Sequence, residues 1–197
     1  MINKISPSIA EALTGVADGS TVLIGGFGTA GIPNELIEGL IEQGARELTV
    51  VNNNAGNGDS GLAALLKAGR VRKIICSFPR QTDSWVFDEL YRSGKIELEL
   101  VPQGNLAERL RAAGAGVGAF FTPTGFGTEL ALNADGTPKE TRRINGRDYV
   151  LPDDVKAMAP WVLPHRLILS TQARLRGRGA DELLAEVLER VPVPIGD

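Results

Sequence analysis

Short apolar runs alternate with longer segments whose apolar positions recur every three or four residues. The short runs predict buried β-strands, and the longer segments predict amphipathic helices. Predicted strands cover residues 21–26, 47–53, 71–78 and 96–102, with a short fifth strand and loop in 119–125. Predicted helices cover residues 6–15, 32–45, 60–69, 82–94 and 105–116. This alternation predicts an α/β fold with an open, mostly parallel sheet flanked by helices.

In open parallel sheets, ligands bind beyond the carboxyl ends of the strands. The loops that follow the predicted strands are therefore the places to look for a site. They cover residues 25–33, 52–60, 77–83, 102–105 and 122–128.

The pattern changes after about residue 132. Residues 133–154 are polar, and Asn145-Gly146 predicts a small hairpin. A short helical C-terminal tail follows, in which Pro160 and Pro164 interrupt the first helical pattern. We therefore divide the chain into an α/β domain over 1–150 and a helical tail over 151–197.

Charge and hydropathy exclude several classes of function. The net charge of −3 disfavours nucleic acid as a partner, because phosphate binding needs a clustered basic surface. No apolar run approaches the ~20 residues of a transmembrane helix, so no membrane association is expected. The N-terminal segment lacks the apolar stretch of a secretory signal, and a cytoplasmic protein is expected.

The chain has one cysteine, Cys76, and one histidine, His165. This composition disfavours a zinc site, which usually takes three or four such ligands, and no metal is expected. Cys76 lies in an apolar run, which favours a buried core thiol over a reactive one.

The segment "GFGTAG", Gly26–Gly31, has the G-x-G-x-x-G spacing of dinucleotide-binding loops. The full fingerprint also needs an acidic residue at the end of the second strand. That strand instead ends in Asn52, Asn53 and Asn54, and Glu47 stands at its beginning. The spacing therefore gives only weak support to NAD binding, and the glycines also suit a tight turn without a ligand.

The longer segment "DGSTVLIGGFGTAGIP", residues 18–33, resembles the signature of the first of the two subunits, the α subunit, of the family I coenzyme A transferases. Further matching segments follow in order at residues 53–56, 61–66, 78–116 and 122–128. The resemblance extends from about residue 3 to about residue 150. Within the family, the chain is most similar to the 3-oxoadipate CoA-transferase branch.

The resemblance implies transfer of CoA from succinyl-CoA to a 3-oxo acid, with 3-oxoadipate favoured and acetoacetate as the alternative. It also implies that the nucleophilic glutamate belongs to a separate β subunit, so that a hetero-oligomer forms. CoA would be a substrate, with no permanently bound cofactor. Glu35 is the glutamate nearest to a predicted ligand loop, and a favourable position in the first turn of a helix explains it better than nucleophilic catalysis does.

The ends of the predicted strands indicate the site residues, and the resemblance places Gln103 beside the reacting thioester. Asn53, Asn54 and Gln103 are expected to support catalysis with their amides, and Gly104 with its backbone N–H. An Asx turn is the alternative for the two asparagines. Arg80 either pairs with a substrate carboxylate or is a solvated loop residue. Binding of the CoA pyrophosphate or the bound acid is expected from the loop residues Gly25, Gly26, Phe27, Gly28, Thr29, Ala30 and Gly31.

The tail resembles the C-terminal lid of MoxR-type AAA+ ATPases, through "LPHRL" and "VPVP". His165 and Arg166 would be lid residues, although the chain contains no Walker A loop to bind a nucleotide. The sequence thus indicates a truncated transferase subunit with a foreign C-terminal end. The alternatives are a non-catalytic module that binds CoA or a nucleotide, and a protein whose tail interacts with an ATPase.

Overall fold

The computed structural model describes residues 5–133, 135–150 and 177–190. The chain forms two compact units, residues 1–103 and 104–197. This division differs from the predicted one between the α/β domain (1–150) and the tail (151–197). The predicted division stays a prediction.

The first unit contains a parallel four-stranded sheet in the order β1-β2-β3-β4. Its strands are β1 (Thr21–Leu23), β2 (Leu48–Val51), β3 (Val71–Cys76) and β4 (Glu97–Leu100). Its helices are α1 (Ile9–Ala12), α2 (Asn34–Gln43), α3 (Leu62–Lys67) and α4 (Trp85–Arg92). Parallel neighbours joined by right-handed crossovers carry their connecting helices on one face of the sheet. In agreement, α2 packs against α3, and α3 packs against α4.

The core of this unit lies between the sheet and its helices. The central strands supply Val50 and Ile74, which lie side by side in register and are fully buried. The helices supply side chains such as Ile37, Leu65 and Phe87, each at most 2% exposed. These three apolar helix positions, which fit the predicted amphipathic pattern, belong to the buried core of the unit.

The end of α2 is fixed by two features. Gly44 adopts the left-handed conformation, with φ at 93°, and its N–H bonds to the carbonyl of Leu40. The guanidinium of Arg70 donates to the carbonyl oxygens of Ile41 and Gly44, both at 3.1 Å. Together these contacts satisfy carbonyl groups that a helix C-terminus leaves without partners.

Several elements are shorter than predicted. β1 ends at Leu23, because the following glycines leave the ladder to form a separate loop. The first helix covers only Ile9–Ala12, with Ser8 as its N-cap residue. The four strands and their helices nevertheless occur in the predicted order and at the predicted places.

In the second unit, α5 spans Gln103–Ala115 and begins at the boundary between the two units. The predicted hairpin is confirmed: β5 (Thr141–Ile144) and β6 (Arg147–Val150) are antiparallel. Asn145 and Gly146 connect them with φ of 50° and 75°. Positive φ at both positions is typical of a two-residue hairpin turn.

The predicted fifth strand is wrong. Residues 119–125 contribute one bridge, in which Thr122 exchanges both backbone hydrogen bonds with Val150 in an antiparallel arrangement. The next N–H on this side of the segment belongs to Thr124, and it donates to the Oγ1 of Thr122 at 3.2 Å instead of continuing the pairing. A short 3-10 helix, Glu129–Ala131, lies further along this segment.

The described part of the tail is helical: α6 spans Ala180–Arg190. Arg178 forms ion pairs with Glu182 and Glu186. Hydrogen bonding to Arg178 lowers the pKa of Glu186. Pro160 and Pro164 lie outside the described residues. Within the described ranges, no helix is long and apolar enough to cross a membrane.

Candidate active site

A cavity of about 650 Å³ opens in the first unit, beyond the carboxyl ends of its strands. The loops after β1, β2 and β3 surround it, together with the residue at which α5 begins. Its lining consists of Phe27, Asn53, Ser77, Phe78, Arg80, Gln81, Thr82 and Gln103. Four separate segments of the chain thus meet where a parallel sheet is expected to bind its ligand.

The glycine loop is a tight hairpin. Phe27 and Ala30 exchange two backbone hydrogen bonds, at 2.9 and 3.1 Å, with Gly28 and Thr29 at the tip. Gly28 has a φ of 63°, which favours glycine. A side chain at Gly26 would collide with Ile32. Glycines at these two positions therefore give the loop its shape.

This hairpin differs from a dinucleotide-binding loop. The N–H groups of Phe27 and Ala30 are used inside the loop. α2 begins only at Asn34, with Pro33 as its N-cap residue. In the dinucleotide fingerprint the glycines open the helix directly, so the structure disfavours NAD as the ligand.

Two buried asparagines hold the hairpin in place. The Nδ2 of Asn52 donates to the carbonyl of Ile24 at 2.7 Å, and its Oδ1 accepts from the N–H of Asn54 at 2.9 Å. The Nδ2 of Asn54 donates to the carbonyl of Gly28 at 3.2 Å, and its Oδ1 accepts from the N–H of Gly56 at 2.8 Å. The Oδ1 bond of Asn54 is the Asx turn that the sequence left open.

Asn53 lies between these two residues and faces the cavity. Its Nδ2 donates to the Oγ of Ser77 at 3.0 Å. Its carbonyl accepts from the N–H groups of Ser77 and Phe78 at 3.1 and 3.0 Å. In extended backbone successive side chains point to opposite sides, which separates Asn53 from its two buried neighbours.

The loop after β3 contributes most of the lining. Arg80 is the only charged residue among the described lining residues, and its Nε donates to Asp88 of α4 at 2.5 Å. Phe78 is 59% exposed, and Phe27 from the glycine loop is 67% exposed. The cavity therefore combines two exposed aromatic rings, one cation and several amide and hydroxyl groups.

The sequence places Gln103 and Gly104 in a loop, and the structure corrects this. They are the first two residues of α5. Gln103 is exposed and lines the cavity, whereas Gly104 is exposed and does not belong to the lining. Pro102 comes directly before the helix. The first N–H groups of a helix have no partner within it, so the N–H that proline lacks is not needed there.

Other candidate residues lie outside the cavity. Glu35 is an exposed residue in the first turn of α2, which is the position that the sequence favoured for it over nucleophilic catalysis. Cys76 is a buried core residue, and burial raises the pKa of its thiol to about 12. No group of three potential metal ligands occurs in the described ranges. His165 and Arg166 lie outside those ranges.

The sequence does not single out Ser77, Phe78, Gln81 or Thr82 as site residues, nor Asn52 as a support for the glycine loop. These residues lie at or directly after the ends of predicted strands, and that position is the feature of the sequence that could have indicated a role at the site. The two-residue alternation of a strand separates Asn53 from Asn52 and Asn54, but the sequence does not say which of the two sides faces the cavity.

The family model for coenzyme A transferases matches residues 7–159. The model for the AAA lid domain matches residues 143–187. The α subunit of the 3-oxoadipate CoA-transferase of Pseudomonas putida is 64% identical over 166 residues, which are 84% of this chain and 70% of the relative. The corresponding subunit from Acinetobacter baylyi is 64% identical over 80% of this chain and 67% of its own length.

The α subunit of a succinyl-CoA:3-ketoacid coenzyme A transferase from Helicobacter pylori is 43% identical over 76% of this chain and 62% of its own length. The chain thus spans about two thirds of the length of these relatives. Among solved structures, the acyl-CoA transferase YdiF of Escherichia coli O157:H7 superimposes with a TM-score of 0.60 at 23% identity, over 75% of this chain and 32% of that one. The fold is therefore the one found in acyl-CoA transferases.

Proposed function

The chain belongs to the coenzyme A transferase family, and we propose that it is the α subunit of an enzyme that transfers CoA from succinyl-CoA to 3-oxoadipate. The observation that carries this proposal is the 64% identity to two α subunits of 3-oxoadipate CoA-transferases, over 80% or more of this chain. The four-segment cavity supports the proposal as the candidate place for the reaction.

The proposed reaction needs a glutamate from a β subunit. Its carboxylate attacks the thioester carbonyl of succinyl-CoA, the C–S bond breaks, and an acyl anhydride and the CoA thiolate form. The thiolate then attacks the glutamyl carbonyl, which releases succinate and leaves a glutamyl-CoA thioester. The carboxylate of the 3-oxo acid repeats these steps in reverse. The covalent intermediates replace one difficult exchange with several easier ones.

This chain would stabilise the negative charge that develops on the carbonyl oxygen. Gln103 and Asn53 both line the cavity and carry amide N–H groups. Such donors contribute most when they are fixed before the reaction, and the bond to Ser77 fixes the Asn53 amide. Asn54 would act indirectly, since its bond to the Gly28 carbonyl holds the glycine hairpin at the cavity.

Co-expression of the full chain with the β subunit of a 3-oxoadipate CoA-transferase tests the proposal. The complex should convert succinyl-CoA and 3-oxoadipate into succinate and 3-oxoadipyl-CoA, and neither subunit should do so alone. Turnover by this chain without a partner would contradict the assignment of the nucleophile to the β subunit. No turnover by a complex that assembles would contradict the proposed activity.

A second candidate function is transfer to acetoacetate, which the 43% identity to the Helicobacter pylori subunit supports. Assay of the same complex with both acids distinguishes the two. A third candidate is an ATPase-interacting protein without catalysis, supported by the lid-domain match over residues 143–187. Calorimetry with CoA tests this candidate, since it predicts no CoA binding by the complex.

A further inference from the structure

We propose that Arg80 recognises the distal carboxylate of the acceptor acid and so selects dicarboxylic 3-oxo acids over monocarboxylic ones. This inference rests on the proposed function. The CoA acceptor presents one carboxylate to the reaction, and 3-oxoadipate carries a second one at the other end of its carbon chain. A site that selects 3-oxoadipate therefore needs a cation away from the reacting group.

Among the described residues that line the cavity, Arg80 is the only cation, and none is a carboxylate. It shares the cavity with Asn53 and Gln103, the two amide residues proposed at the reacting carbonyl. A second carboxylate in this cavity would thus meet one cation in the lining, which Asp88 contacts from outside the lining. A guanidinium is also the side chain that best matches a carboxylate, because it donates two parallel hydrogen bonds.

Asp88 orients this cation. Its carboxylate accepts from the Nε of Arg80 at 2.5 Å, from the first turn of α4. With Nε occupied, the two terminal nitrogens Nη1 and Nη2 form the edge that remains for a ligand. The side chain of Arg80 is 53% exposed, so an incoming acid can reach it, whereas Asp88 is 31% exposed and lies outside the lining.

The aromatic rings of Phe27 and Phe78 explain how the rest of the acid would bind. Both line the same cavity and are more than half exposed. The methylene groups between the two carboxylates would cover part of this apolar surface. The lining therefore offers amides, apolar rings and a cation, the three kinds of group that the carboxylates and methylene groups of 3-oxoadipate need.

The test compares 3-oxoadipate with 3-oxohexanoate, which has the same chain length and a methyl group in place of the distal carboxylate. The complex with the β subunit is assayed at varied acceptor, because kcat/KM for the acceptor in a ping-pong reaction reports only the second half-reaction. Arg80→Gln should lower the ratio of kcat/KM for 3-oxoadipate to that for 3-oxohexanoate by roughly 10- to 100-fold. Arg80→Lys should give an intermediate ratio, since it keeps the charge and loses the two-pronged geometry.

Arg72→Gln is the matched control, because Arg72 forms an exposed ion pair with Glu97 on β4 and does not line the cavity. It should leave the ratio at the wild-type value. Asp88→Asn should lower the ratio of kcat/KM for the two acids by a smaller factor than Arg80→Gln does. The change should appear in the KM for 3-oxoadipate and not in kcat.

The outcomes separate this inference from the proposed function. A wild-type complex that uses neither acid contradicts the proposed function. A wild-type complex that works, with an Arg80→Gln variant that keeps the wild-type ratio or loses both acids equally, overturns the role of Arg80. If Arg80→Gln lowers activity with both acids equally and raises the KM for every CoA thioester, Arg80 contacts the CoA phosphates and not the acid.

Discussion

The side chain of Asn54 joins the loop after β2 to the tip of the glycine hairpin, since its Nδ2 donates to the carbonyl of Gly28 at 3.2 Å. Both polar atoms of this side chain are used, and the residue is fully buried. Asn53, the preceding residue, instead lines the cavity. Two adjacent asparagines thus have different surroundings, and their substitution should have different effects.

We expect Asn54→Ala to lower the free energy of unfolding by about 1–3 kcal/mol, because it leaves the buried N–H of Gly56 and the half-buried carbonyl of Gly28 without these partners. Asn53→Ala is the control, and should cost less than about 1 kcal/mol, since its side chain is only half-buried. Urea unfolding of both variants measures the difference. Equal losses of stability would contradict the division between a supporting and a cavity-lining asparagine.

Gly28→Val should cost stability and also disturb ligand binding. Its φ of 63° disfavours any side chain, by about 1–2 kcal/mol. Gly69 is a matched control, with a φ of 65° and no neighbouring atoms within 4 Å of an added Cβ, whereas Gly28 has the Gln81 side chain at 3.6 Å. Gly28→Val and Gly69→Val should therefore lose similar stability in urea unfolding.

The same two variants separate strain from function in the complex with the β subunit. Calorimetry should find CoA binding abolished by Gly28→Val and unaffected by Gly69→Val. If Gly28→Val binds CoA like the wild type, the glycine hairpin is a structural turn only.

Gln103→Ala should lower kcat of the complex by roughly 10²–10³-fold while CoA still binds, as expected for loss of one donor to a developing oxyanion. Its melting temperature should stay close to that of the wild type, because Gln103 is exposed. Glu108→Ala on the same helix is the control, and should keep the wild-type kcat. An unchanged kcat in Gln103→Ala would show that the reacting carbonyl lies elsewhere.

Because of the buried thiol of Cys76, we expect the free energy of unfolding to fall at alkaline pH. Burial raises the pKa of its thiol from 9.0 to about 12 in the folded chain. Above pH 9 the unfolded chain releases this proton and the folded chain keeps it, so stability falls with rising pH by about 1.4 kcal/mol per unit until about pH 12. Urea unfolding between about pH 8 and pH 10 measures the slope, and Cys76→Ala should lack this contribution. Equal slopes in both proteins would contradict the shift.

The sequence predicted the four parallel strands, their helices and the edge of the sheet at which the cavity opens. Apolar runs such as Val71–Cys76 must be buried, and their alternation with amphipathic helices leaves few arrangements other than a parallel sheet. The glycine loop, Asn53 and Gln103 could all be placed near the strand ends on this ground alone. The signature at residues 18–33 indicated one family among the many that have such a sheet. A long motif carries more information than the spacing of three glycines.

Only the tertiary structure decided what each of these residues contacts. Whether an asparagine after a strand faces a cavity or the interior depends on where that strand ends, which shifted by a residue or more from the prediction. The pairing of Thr122 with Val150 depended on a segment 28 residues away, as their positions show, which no local pattern contains. The ion pair that orients Arg80 likewise joins a loop to the helix after it, and local patterns give residue types without the distances between side chains.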